Sequence, residues 1–296
     1  LVGGPVRDAL LGRDVTDLDF ATSATPDQID EICHDWADAN WDMGRDFGTI
    51  GLRKGDEQIE ITTYRADSYD QDSRKPTVSF GDSLHADLAR RDFTVNAMAI
   101  RLPSREFVDL HGGLDDLADR TLRTPSGPEV SFSDDPLRMM RAVRFVAQLS
   151  FDLAPEVFTA IVGMGERLEI VSAERIREEF SRLLLAKNPV GGLRLFVETG
   201  LAERIMPELP ALQLELDEHH RHKDVYEHSL IVLEQAIELE HRLETQPDLT
   251  IRLASLLHDI GKPRTRRFQN GGTVTFHHHD VVGAKMARKR LRELKY

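Results

Sequence analysis

The sequence predicts an α+β chain in which a small mixed α/β head precedes an all-helical remainder. Three observations carry this. The first nineteen residues read as a short buried strand, a glycine turn, a helix and a second strand. Two further β-like runs follow, around Gly48 to Arg53 and Glu57 to Tyr64, joined by the turn-forming Lys54-Gly55-Asp56. Beyond about residue 133 the apolar residues recur mostly at helical spacing. A length of 296 residues and a 40% hydrophobic content allow two or more cores.

The opening stretch, Leu1-Val2-Gly3-Gly4-Pro5-Val6-Arg7-Asp8, places a helix over about Pro5 to Leu11, and Asp17-Leu18-Asp19 falls on the strand after it. Residues two apart on a strand share a face, so Asp17 and Asp19 project together while Leu18 points into the core. Two neighbouring carboxylates repel, and a hard cation such as Mg²⁺ relieves that. Gly3 and Gly4 lack Cβ atoms and let backbone N–H groups approach an anion. Thr25 and Pro26 open another helix, with Ile29, Ile32, Cys33 and Trp36 as its apolar stripe. On the second β-like run Gln58, Glu60 and Thr62 share one face. If that strand pairs beside Asp17 and Asp19, Glu60 becomes a third acid there. Residues 66–80 turn polar and lose periodicity, which predicts a mobile loop.

The net charge of −13 argues against indiscriminate adhesion to nucleic acid, although basic residues cluster at Lys262 to Arg267, Arg175 to Arg182 and Lys285 to Arg292. The single cysteine, Cys33, excludes a disulfide framework and fits a reducing cytosol. Neither a membrane-length apolar run nor a signal peptide is visible, so a cytoplasmic chain without a membrane partner is expected. The chain begins inside a strand and stops in a basic helical run, which predicts a fragment. Its oligomeric state is not legible.

Four further stretches carry chemistry. Asp87 to Ala97 contains Arg90-Arg91-Asp92, by itself the pattern of a surface helix end, with Asn96 one turn later to brace it. Phe107 to Leu117 spaces Asp109, Gly113 and Asp116 around a sharp reversal. Ser133 to Phe145 predicts a helix capped by Asp134 or Asp135, with Pro136 in its first turn. Leu137, Met140, Val143 and Ala147 face the core there, and Arg138, Arg141 and Arg144 form a drifting stripe on the wet side. Last, His228 near a helix start precedes His258-Asp259 and then Phe276-His277-His278-His279-Asp280. Imidazole and carboxylate together suit a divalent transition metal or Mg²⁺.

The Gly3-Gly4 turn with Val6-Arg7-Asp8 and Asp17-Leu18-Asp19 resembles the opening motif of the class II tRNA nucleotidyltransferase and bacterial poly(A) polymerase family, a branch of the polymerase-β superfamily. Glu60-Ile61-Thr62-Thr63-Tyr64-Arg65, Arg91-Asp92, the Asp109 to Asp116 stretch and Asp134-Asp135 to Arg138 match its later motifs in order, with Asp134 where the family usually has Glu. The histidine and aspartate pattern resembles the HD superfamily of phosphohydrolases, whose usual distal Asp would lie beyond residue 296.

The resemblance implies a polymerase-β-like nucleotidyltransferase head at 1–116, a helical neck and body at 117–215 that reads bases and binds RNA, and a helical HD domain at 216–296. It further implies catalytic Asp17, Asp19 and Glu60, with Mg²⁺ held by Asp17 and Asp19. Gly3, Gly4, Arg7, Arg91, Asp92, Asp135, Arg138, Arg141 and Arg144 would bind the nucleotide. Asp92 would accept from a ribose 2′-hydroxyl, and Asp135 with Arg138 would read the Watson–Crick edges of CTP and ATP. His228, His258 and Asp259 would form the HD metal site, with a second divalent metal. The implied activity is addition of CCA to the tRNA 3′ end from CTP and ATP. The alternatives are a bacterial poly(A) polymerase and an HD metal phosphohydrolase with an RNA-binding head. A PII-protein uridylyltransferase also joins such a head to an HD domain, but its Gly-Ser signature is absent here.

Overall fold

The computed structural model describes residues 1–15, 17–42, 44–68, 77–80, 83–213, 224–269 and 274–296. They divide into two compact units, Leu1–Asp135 with Asp152–Val157, and Pro136–Phe151 with Phe158–Tyr296.

In the first unit, helix α1 (Gly4–Leu10) leads to strand β1 (Asp17–Thr22), helix α2 (Pro26–Cys33), and strands β2 (Ala39–Trp41), β3 (Thr49–Lys54) and β4 (Glu57–Thr63). The four strands form one sheet in the order β1-β4-β3-β2, with β1 and β4 parallel and the other pairs antiparallel. Alternation sorts the two faces. Ile50, Leu52 and Ile59 join Ile29 of α2 in a buried cluster, with Leu18 and Phe20 packed against it. Asp17, Asp19 and Glu60 therefore stand on the opposite face.

Helix α2 begins at Thr25 and Pro26 as expected, and Gln28 completes a reciprocal capping box with Thr25 that the sequence reading did not include. Its predicted apolar stripe is only partly realised. The helix stops at Cys33 after eight residues, so Ile29 is buried while Ile32 is 74% exposed and Trp36 lies beyond the last turn. The polar stretch at 66–80 has described ends that pair as an antiparallel ladder, β5 (Arg65–Ser68) with β6 (Thr77–Phe80). The remainder of the predicted loop, 69–76, lies outside the described residues.

The unit continues through α3 (Leu84–Ala89), the hairpin of β7 (Met98–Arg101) and β8 (Glu106–Asp109), α4 (Gly113–Ala118), β9 (Thr121–Leu122) and α5 (Pro128–Asp134). Strand β9 pairs in parallel with β10 (Asp152–Leu153). Val2, Leu88, Ala97, Ala99 and Val108 form a second cluster, against which Ala21 of β1 packs.

The predicted helix opening near Ser133 is instead a break between two helices. Asp134 ends α5, Asp135 is extended (φ −140°, ψ 101°), and Pro136 is the N-cap of α6 (Leu137–Leu149). A residue preceding proline is disfavoured in the helical region, which is why the chain turns there.

The second unit contains α6, most of α7 (Pro155–Met164), α8 (Ala173–Leu184), α9 (Pro189–Glu198), α10 (Leu201–Ile205), α11 (Val225–Arg242), α12 (Leu249–Leu257), α13 (Lys262–Thr265), the short pair β11 (Arg267–Phe268) and β12 (Val274–Thr275), and α14 (His279–Glu293). Helix α6 packs on α8 and α9, and α11 on α12. Arg252 of α12 is among the largest fully buried side chains. Its guanidinium donates to Glu240 of α11 (2.6 Å) and to the carbonyls of Leu184 (2.6 Å) and Ala186 (2.7 Å) at the end of α8. A buried charge is tolerated only when paired and hydrogen-bonded, and these bonds meet that demand.

Candidate active site in the head and metal centre in the helical unit

Parallel pairing of β1 with β4 sets Asp19 opposite Glu60, and Asp17 shares their face two residues away. Asp17 and Glu60 are exposed while Asp19 is half-buried. Burial raises the Asp19 carboxyl above its ordinary range, and the neighbouring Glu60 and Asp17 charges raise it further, against the opposing pull of Arg91 and Arg7. This sheet face thus presents carboxylates at the expense of mutual repulsion, the environment a hard cation relieves.

A hydrogen-bonded chain borders the acids. Arg7 of α1 is buried and grips Asp8 through Nε (2.9 Å) and Nη2 (2.7 Å), while Nη1 donates to Asn96 Oδ1 (2.5 Å). Asn96 Nδ2 donates to Asp92 Oδ1 (2.9 Å), which also accepts the Phe93 N–H (2.8 Å). Asp87, fully buried in α3, receives Arg90 (2.7 Å) and Arg91 (3.2 Å). Burial alone would raise the Asp87 carboxyl, but the two guanidiniums outweigh it and hold it below the usual range.

Gly3 has φ +71°, and a Cβ there would stand 2.7 Å from Arg91 Nη1. Its positive φ favours glycine, and the tip of the Arg91 side chain lies in the space a Cβ would take. Asp109 accepts the Gly113 (2.9 Å) and Leu114 (2.8 Å) amides at the start of α4, and Asp116 of that helix accepts the Thr94 hydroxyl (2.6 Å). These bonds tie the chain reversal to the start of α4 and to Thr94.

In the second unit the arginines of α6 depart from the predicted wet stripe. Arg138 and Arg144 are 7% and 5% exposed. Arg144 Nε donates to Glu179 Oε2 of α8 (2.5 Å), Arg141 Nη1 lies 3.7 Å from Glu179 Oε1, and the Arg144 guanidinium sits 4.1 Å from the centre of the Phe145 ring. For Arg144 the physical reason is Glu179, a buried acid 35 residues away, which Arg141 also approaches.

His228, near the start of α11, meets His258 and Asp259, which follow α12. The ligand atoms of this trio lie within 4.8 Å of one another, a spacing that no other His, Cys, Asp or Glu group of three or more attains among the described residues. Asp259 Oδ2 stands 3.1 Å from His258 Nε2, 3.8 Å from His228 Nε2 and 2.9 Å from Lys262 Nζ. Its other oxygen lies 3.4 Å from His279 Nε2. Burial works to raise Asp259, but hydrogen bonding to His258 and Lys262 prevails and holds it at about 2. His258 is raised against the effect of burial by Asp259 and by the Ser255 carbonyl at 2.9 Å from Nδ1. That carbonyl contact fixes the ring so that Nε2 faces the acid.

Residues 1–123 match the family described as "Poly A polymerase head domain", 150–212 the "Probable RNA and SrmB- binding site of polymerase A", and 225–296 the "HD domain". The CCA-adding enzyme of Enterococcus faecalis is 44% identical over 199 residues, covering 67% of this chain and 48% of that protein. The Streptococcus suis CCA-adding enzyme is 42% identical over 217 residues, covering 73% and 52%. Among solved structures, the Bacillus stearothermophilus CCA-adding enzyme in complex with CTP aligns with 28% identity and a TM-score of 0.60 over 100% of this chain and 78% of the other. The chain belongs to the tRNA nucleotidyltransferase/poly(A) polymerase family. It spans about half the length of the curated relatives it matches.

In this nucleotidyltransferase family, head and HD domains use divalent metals. The two donor sets fit different ions: carboxylate oxygens on the strands suit a hard cation, and imidazoles with one carboxylate suit a transition metal. The structure brings Asp19 and Glu60 together with Asp17 beside them, and Arg7, Arg91 and Asp92 into one network through Asn96. It also joins His228, His258 and Asp259. Asp135 follows the end of α5 and Arg138 lies in the first turn of α6, with Arg141 and Arg144 along that helix at Glu179. Two partners escaped the sequence reading. Glu179 carries no local signal, whereas His279 was within the His277-His278-His279-Asp280 run, and its position as the first residue of α14 aims it at Asp259. No described helix is long and apolar enough to cross a membrane.

Proposed function

We propose that this chain is the head, body and HD portion of a cytoplasmic CCA-adding enzyme, which transfers CMP and AMP from CTP and ATP to the tRNA 3′ end without a template and releases pyrophosphate. The observation that carries the reading is the parallel β1–β4 register, which sets three carboxylates on one sheet face. Asp17, Asp19 and Glu60 would hold Mg²⁺, which when bound lowers the pKa of the RNA 3′-hydroxyl and neutralises the triphosphate. The chain's own residues position. Arg7 and Arg91 offer guanidinium charge to phosphates at the Gly3-Gly4 turn, and Asp92, aimed by Asn96, accepts from the ribose 2′-hydroxyl. Asp135 accepts an exocyclic amino group and Arg138 donates to the base edge. Arg141 and Arg144 supply charge for the triphosphate, with Glu179 fixing their rotamers. The hydroxyl attacks the α-phosphorus in line, a reaction governed by positioning and charge neutralisation.

We assign the head to 1–116, the neck and body to 117–215 and the HD domain to 216–296. Compactness of the His228, His258 and Asp259 trio favours a second, metal-dependent phosphohydrolase function in that last part. Incubation with tRNA lacking its 3′ end and each labelled nucleoside triphosphate tests the proposal. Ordered C, C, A incorporation supports it, tailing with A alone points to a poly(A) polymerase, and cleavage without incorporation leaves only the phosphohydrolase.

A further inference from the structure

One row of the head sheet runs Asp19, Glu60, Gly51, Trp41, each residue directly opposite the next on strands β1, β4, β3 and β2. Paired residues share a face, so Trp41 stands on the same side of the sheet as the acids. Ile50 and Leu52, flanking Gly51, point into the buried cluster on the other side. The indole leans back over Gly51. A Cβ at that glycine would lie 2.0 Å from Trp41 Nε1, 2.2 Å from Cε2 and 2.7 Å from Cδ1. Three ring atoms so nearly equidistant mean that the flat of the ring covers the glycine. One aromatic face is thus spent on the sheet, the residue remains half-exposed, and the opposite face points away from the strands.

From these observations we infer that Trp41 is a stacking platform for a nucleobase, namely the base of the RNA nucleotide whose 3′-hydroxyl is to react. The inference rests on the nucleotidyltransferase reading above and names a subsite of it. Strands lie about 4.8 Å apart, so a ring over Gly51 is two strand spacings, about 10 Å, from Asp19. That is the scale of one nucleotide, from its sugar hydroxyls to the far edge of its base. The terminal base, and not the incoming one, is the occupant because of what a ring face can read. Stacking tolerates every base, since all have a π-face. The growing end changes identity at each step and needs a holder indifferent to identity, whereas the incoming base must be discriminated by its polar edge. Gly51 sets the height of the platform, because any side chain there would lift the indole off the sheet.

The chain has two tryptophans, so Trp36→Phe leaves Trp41 as the sole indole reporter. In that background, tRNA lacking its 3′-CCA is expected to quench the fluorescence, and CTP alone is not. Trp41→Leu should raise KM for tRNA about 10-fold, the lower to middle part of the range for losing one base stack, with KM for CTP changed less than twofold. Trp41→Phe should restore most of the loss. Circular dichroism separates these effects from unfolding, and the fluorescence titration of the Trp36→Phe protein needs no folded Trp41 variant. Quenching by CTP alone, absence of quenching by tRNA, or an unchanged tRNA KM in Trp41→Leu would each overturn the platform while leaving CCA addition by the unaltered protein intact. Failure of the unaltered protein to incorporate any nucleotide would instead overturn the broader reading, and the titration would still decide whether Trp41 meets RNA.

Discussion

The two candidate metal sites solve the problem of concentrated charge in opposite ways. On the head sheet, Asp17, Asp19 and Glu60 are set by strand alternation, and burial together with the neighbouring Glu60 and Asp17 charges raises Asp19. In the helical unit, Asp259 is surrounded by three imidazoles and a lysine, and is held at about 2. In the first arrangement the repulsion between carboxylates is left for a cation to relieve; in the second, Asp259 is already compensated by Lys262 and by imidazole N–H groups whose protons a metal would have to displace. The carboxylate set suits a hard cation, the imidazole and carboxylate set a transition metal.

The largest expected effect separates the two sites outright. Asp17→Ala with Asp19→Ala should reduce nucleotide incorporation by at least about 10⁴-fold, a barrier increase of about 5.5 kcal/mol, with the circular dichroism spectrum unchanged. Mn²⁺ binding at the trio, followed by calorimetry, should be unaffected. Loss of both at once would mean that the sites are not independent. Next, Arg252→Ala strips the partner from buried Glu240 and leaves two carbonyls without their donor. It should cost about 3–5 kcal/mol in urea unfolding of the helical unit, whereas Arg252→Met, which fills the volume without restoring the bonds, should lose nearly as much.

His258→Ala sharpens the contrast from the other side. It should weaken Mn²⁺ binding at the trio about 10- to 100-fold in calorimetric titration, and incorporation should stay within twofold of the unaltered protein. The smallest effect is a matter of pH. Asp87 has a depressed carboxyl in the folded head, so its contribution is fully present above the ordinary value of 3.8 and disappears as pH falls through the depressed one. Asp87→Asn should therefore lower head stability by about 1–2 kcal/mol at pH 7. Below pH 3.8 the difference from the unaltered protein should shrink, as thermal unfolding across pH 2.5–7 would reveal.

What was legible in the residues follows their range of action. Asp17, Leu18 and Asp19 sort onto their faces by alternation alone, and Thr25 with Pro26 announces its helix start. Alternation placed Glu60 beside the acids on condition that its strand paired with theirs, and the parallel ladder met the condition. Long-range compensation was not legible. Arg144 reads as a solvated residue until Glu179 is brought to it, and Gly3 reads as a phosphate turn until the Arg91 guanidinium is seen against it. The wet stripe failed on α6 because amphipathic patterning counts charge as exposed, and here the opposing charge is inside. The break at Asp135-Pro136 was available from proline chemistry, but the cap pattern concealed it.

The clasp formed by Arg252 reaches beyond its own bonds. It fastens the end of α8, the last turns of α11 and the first turn of α12 through a single side chain. Amide protons in those three helices should therefore exchange with solvent at one shared rate, as a single unit of opening rather than helix by helix.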